Sequence, residues 1–174
     1  MKLFRILILA SLSAATVFGA DQPSMAITNW QRVDFHSLSF SIPPGMTNVP
    51  VRGIDSLVGR CASTNMSLLF DYGRFSSMEL NEPSTPVQVG GLAAKIVIRP
   101  LRSDESPWER AAGNTNYVLL TVPNVTSQWA GGNSLRMSIF YRDPKDLPVA
   151  KAIVDSIHFE AEPSGAGNSH RAGQ

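Results

Sequence analysis

The sequence predicts an α+β domain: an antiparallel sheet with packed helices, the last of them C-terminal and lying on one face. Three observations predict it. Short segments of alternating apolar and polar residues recur between clusters of Gly, Pro, Asn and Asp, as the strands of a half-buried sheet do. One late segment, with Leu147, Ala150, Ile153, Val154 and Ile157 apolar, switches to helical spacing. A chain of 174 residues, 43% apolar and 17% charged, has the composition of an ordinary globular protein and enough length for one core.

The first segment is read as a leader. Lys2 and Arg5 precede the apolar run Ile6 to Ala10, and small residues follow up to Ala20, which is the layout of a secretory signal peptide. Val17 and Gly19 suit cleavage before Ala20, so residues 1–19 are assigned to the signal and 20–159 to a single domain. The apolar run is too short for a comfortable membrane span. No cysteine near the cleavage point offers a thiol for lipid attachment. The mature chain is therefore expected to be exported, periplasmic or extracellular, with no transmembrane segment. Removing the signal leaves thirteen basic against fourteen acidic residues. That balance supplies no electrostatic footprint for nucleic acid. Cys61 stands alone, so no intramolecular disulfide forms, and it is read as a small buried apolar residue.

Trp30 to Phe35 and Leu38 to Ile42 read as a hairpin, stopped by Pro43-Pro44-Gly45. Met66 to Phe70 is a more central strand, ending at an expected Asp71-Tyr72-Gly73 turn. Val87 to Val89 and Ala93 to Ile98 flank Gly90-Gly91 as a second hairpin. Tyr117 to Val122 is apolar on both sides, and Leu135 to Tyr141 alternates cleanly. Asp143-Pro144 caps a helix predicted over Lys145 to Ser156. Residues 160–174 lose all periodicity and are expected to form a disordered tail. Three polar stretches, Glu79 to Pro86, Arg99 to Asn116 and Pro123 to Asn133, read as long loops, where binding residues usually sit.

Trp30 before a strand pair ending in Phe40-Ser41-Ile42-Pro43-Pro44-Gly45, together with a closing helix that runs into Ser156-Ile157-His158-Phe159, resembles the PsbP-like fold. That superfamily includes an extrinsic photosystem subunit, a Ran-binding yeast protein and many exported bacterial proteins. The resemblance implies an antiparallel sheet between helices, an α-β-α sandwich, and a non-catalytic domain that docks on a larger partner. The leader lacks the Ser- and Arg-rich transit segment of a plastid protein, and an exported chain does not meet a nuclear GTPase.

Candidate chemistry is sparse. Gly53-Ile54-Asp55-Ser56-Leu57-Val58-Gly59 places Asp55 and Ser56 between two glycines, and a loop presenting Ser56 as a nucleophile, with Asp55 and a histidine, is the enzymatic alternative: a small secreted hydrolase. A nucleophile elbow needs glycines two residues on either side of the serine, whereas here they stand three away, so a turn satisfied by its own side chains is the competing reading. His36 and His158 are the histidines available as a base. Asp71, Tyr72 and Arg74, on the expected turn, form a candidate docking anchor, against an ordinary turn with Tyr72 packed on the sheet. Asp55, Asp71, Glu79 and Glu82 lack the alternate spacing of a calcium loop, and neither a zinc cluster nor a phosphate-binding glycine loop is present. No metal or cofactor is expected. Trp108 and Trp129 fall in polar loops and are expected to cover core, unless both are exposed on one rim. The reading is an exported non-enzymatic binding or assembly domain, its partner a protein or an envelope component. The expected contact surface is Asp55, Ser56, Asp71, Tyr72 and Arg74.

Overall fold

The computed structural model describes residues 29–35, 37–53, 56–74, 76, 82–126 and 133–160. Along them run β1 (Gln31–Phe35), β2 (Leu38–Ile42), β3 (Thr47–Val49), β4 (Leu57–Ala62), β5 (Met66–Gly73), β6 (Thr85–Val89) and β7 (Leu92–Pro100). Then follow α1 (Pro107–Ala111), β8 (Asn116–Thr126), β9 (Asn133–Tyr141), a single 3-10 turn at Pro144–Asp146, α2 (Leu147–Asp155) and β10 (His158–Phe159). The architecture is α+β and mostly antiparallel sheet. No helix among these residues is long and apolar enough to cross a membrane.

Seven strands form the main sheet in the order β3-β4-β5-β9-β8-β7-β6, and a second sheet has the order β1-β2-β10. Side chains alternate along each strand. One face of the main sheet therefore carries Leu68, Phe70, Met137, Ile139, Val118 and Leu120, all buried. The opposite face carries Arg60, Ser67, Ser138, Phe140, Tyr117 and Leu119. The small sheet and α2 cover the first face: Phe35 and Phe40 meet the Phe70 ring edge-on at centroid distances of 4.8 and 5.4 Å. Ser156, at the end of α2, closes the other side of β2, its Oγ accepting from the Ser41 amide at 2.8 Å.

Glycines set this packing at two places. Gly90 and Gly91 have φ of 56° and 81°, which suits the tight two-residue turn between β6 and β7, and a Cβ on Gly90 would meet the Phe159 ring at 2.7 Å. Gly59 has ordinary backbone but lies under Phe70, its cross-strand partner, whose ring occupies the space a Cβ would need.

The hairpin at 31–42, the β6–β7 hairpin, β8 and β9 lie where sequence patterning puts them. The Asp143 carboxylate accepts from the Lys145 amide at 2.9 Å, as the cap requires, although the first turn is 3-10 and the α-helix begins at Leu147. Several expectations are corrected. Gly53 to Arg60 is not all loop, because β4 runs through Gly59. The expected turn at Asp71-Tyr72-Gly73 is strand, since Arg136, Leu135 and Ser134 pair with these residues across β9. The stretch Arg99 to Asn116 contains the end of β7 and α1, and β8 continues through a bulge between Val122 and Thr126. Glu160, placed in the tail, donates its amide to Ser37 O at 2.8 Å. Residues 1–28, among them the segment read as a leader, residues 161–174, His36, Asp55, Glu79 and Trp129 lie outside the described residues. Cys61 is buried, and burial pushes its thiol above the ordinary range.

Candidate binding surface

Four of the five residues expected to form the contact surface are described. Ser56 precedes β4, Asp71 lies near the end of β5, and Arg74 follows that strand, so β4–β5 pairing brings the three to one end of the sheet. Tyr72 points the other way. It is 3% exposed on the core face, and its hydroxyl is 2.8 Å from Ser37 Oγ. A residue that fills the core is not an exposed anchor, so Tyr72 leaves the surface. Asp71 sits cross-strand from Arg136, and its Oδ1 is buried without a hydrogen-bond partner. Among the described residues no hydrogen bond joins Ser56 to His158, which lies on β10 opposite Ser39. Glu82 is held by Arg99 and Arg102, and no three His, Cys, Asp or Glu side chains gather among the described residues.

A different feature dominates the second face. Glu109 on α1 is buried, its side chain 5% exposed, and each carboxylate oxygen is used. Oε1 accepts from Arg60 Nη2 at 2.9 Å, and Oε2 accepts from Ser67 Oγ at 2.5 Å and Asn114 Nδ2 at 2.8 Å. Burying a carboxylate is costly unless it is paired and hydrogen-bonded, as it is here. A five-residue helix does not persist alone. These bonds hold it on β4 and β5, and Arg142 Nη2 donates to Ala112 O at 2.8 Å at its far end. Beside the clamp, Trp108 is 74% exposed. The expectation that it covers core is overturned: the residue next to it takes the buried position. Leu101, Pro107, Arg110 and Asn114 line a depression of about 600 Å³ on the same helix.

An ionic cluster fixes the approach to α1. Arg99 donates to Glu82 at 2.8 Å and to Glu105 at 2.7 Å while its guanidinium lies 5.0 Å from the centre of the Tyr117 ring. Those carboxylates raise the Arg99 pKa further above its ordinary value, and Arg99 in turn holds the Glu105 carboxyl below the usual range. A folded pKa below the unfolded one stabilises the fold fully above the unfolded value, about 4.3 for Glu. That contribution is lost as pH falls through the depressed folded value. Acid unfolding followed from pH 6 to 2 is expected to show it, and Arg99→Gln to flatten the Glu105 part of that dependence; an unchanged profile in the variant contradicts the assignment.

No protein-family model matches this chain, and no curated protein matches it.

Proposed function

We propose that this chain is an exported, non-enzymatic binding domain of PsbP-like architecture that docks on a protein or envelope component through the surface around Trp108. The α-β-α reading is supported by the helix positions, since α2 packs with β2 on one face and α1 is bonded to Arg60 and Ser67 on the other. The leader at residues 1–19 supports export.

The observation that carries the proposal is the pairing of an exposed tryptophan with a buried clamp. Tryptophan is usually well covered in a folded chain, and rigidly presented Trp and Arg dominate interface energetics. The charges nearby indicate the partner's sign. Glu82, Glu105 and Glu109 are taken by Arg99, Arg102 and Arg60, whereas Arg110 and Arg142 have no carboxylate partner among the described residues. Asp104 stands on the N-terminal approach to the helix. The charge of Arg110, and that of Arg142 beyond its bond to Ala112 O, is not neutralised by a described carboxylate, and this favours an anionic patch on the partner.

Trp108→Ala tests this. Capture of partner from an envelope fraction is expected to fall at least tenfold relative to the native chain, with stability within about 0.5 kcal/mol because an exposed side chain holds little of the fold. Undiminished capture by a variant of native stability overturns the surface. The same preparation reports the N-terminus, expected at Ala20.

A further inference from the structure

We propose that the apolar groove between α2 and the β6–β7 hairpin binds a single-chain amphiphile with a zwitterionic phosphate headgroup, of the lysophospholipid kind. Covering of the core face is uneven. The small sheet sits over β5 through Phe35, Phe40 and Ser37, and α2 lies beside β2, leaving part of β6 and β7 open. Ile98 on β7 is 40% exposed although it stands on the same face as the buried Ile96. With Val87, Val154 and Ile96 it lines a groove of about 640 Å³, within the range of small-molecule sites.

The free edge of β6 is unsuited to an added strand. The two-residue turn makes Val89 and Leu92 a hydrogen-bonded pair, and alternation gives Val87 and Thr85 the same inward role. Pro86 and Gln88 then direct their backbone groups outward. Proline has no N–H, so within β6 the outer edge offers a single donor, that of Gln88. A continuous peptide ladder does not form on one donor, whereas an acyl chain needs none and is stabilised by apolar burial alone.

The rim selects the headgroup. Lys151 and Asp155 on α2 both border the groove, and among the described residues neither has an ion-pair partner. At i and i+4 they stand on one side of the helix with Cβ atoms about 6 Å apart. A phosphate placed at Lys151 and an ammonium at Asp155 complement both charges. A fatty carboxylate answers only the first and faces the second.

The test is calorimetric titration of the mature chain with lauroyl lysophosphatidylethanolamine and with laurate, both kept below micelle concentration. Expected are one saturable site, tighter binding of the zwitterion than of laurate, and at least tenfold weaker binding in Ile98→Arg and in Thr85→Arg with melting unchanged. Lys151→Ala/Asp155→Ala is expected to retain binding and lose the headgroup preference. Trp108→Ala is expected to bind both ligands normally, which separates this site from the docking surface. Absence of saturable binding, preference for laurate, or native affinity in the stably folded groove variants overturns the proposal.

Discussion

Gly59→Ala is expected to destabilise the fold by about 3 kcal/mol, at the upper end of overpacking effects. In a domain of this size that lowers the melting temperature by roughly 10 °C. Gly59 needs no special backbone conformation; its role is to leave room. The Phe70 ring lies directly over it, and a Cβ would fall inside the ring's contact distance. Phe70 is 1% exposed and is met edge-on by Phe35 and Phe40, which join the main sheet to the small one. The ring therefore moves only by opening the junction between the two sheets. Thermal melting of Gly59→Ala, Phe70→Leu and the double variant checks this. Phe70→Leu alone loses apolar contact, but in the double variant the smaller side chain makes space for the methyl. The two losses are expected to fall short of adding by about 1 kcal/mol or more, the signature of residues in contact. Additive losses, or an alanine variant as stable as the native chain, contradict the account.

The same residue shows why part of the fold was hidden in the sequence. Patterns that depend on neighbours along the chain were legible: alternation in 135–141, the Gly90-Gly91 turn, the Asp143 cap and the apolar stripe of α2. Gly59 read as turn punctuation because glycine commonly ends strands. What keeps it in β4 is an aromatic ring on the next strand. Asp71-Tyr72-Gly73 has turn composition, yet Arg136 and Leu135 draw it into the ladder from 65 and 63 positions along the chain. That pairing turns Tyr72 inward and removes it from the expected surface. Trp108 was visible as a tryptophan in a polar stretch. Its exposure was not, because Arg60 and Ser67, which capture the neighbouring Glu109, lie 49 and 42 residues away.

Glu109→Ala is expected to destabilise the protein by about 3 kcal/mol, the lower end of what removing one partner of a buried ion pair costs. The lower end applies because Arg60 is 34% exposed and regains water when its partner is gone. Ser67 Oγ and Asn114 Nδ2 are buried, so their lost bonds supply the larger share. Glu109→Gln retains an acceptor for one of them and is expected to cost about half as much. The functional consequence separates the clamp from the residue it presents. Without the clamp α1 is too short to hold its conformation, so Trp108 is no longer fixed relative to Arg110 and Arg142. Glu109→Ala is thus expected to lose partner capture together with stability, while Trp108→Ala loses capture alone. Hydrogen exchange at residues 109–115 provides the local readout, with protection of the Ala112 and Asn114 amides, bonded to Trp108 O and Glu109 O, expected to fall in Glu109→Ala and to persist in Trp108→Ala. Protected amides and full capture in Glu109→Ala would show that Arg142 and the Arg99 cluster hold the helix without the clamp.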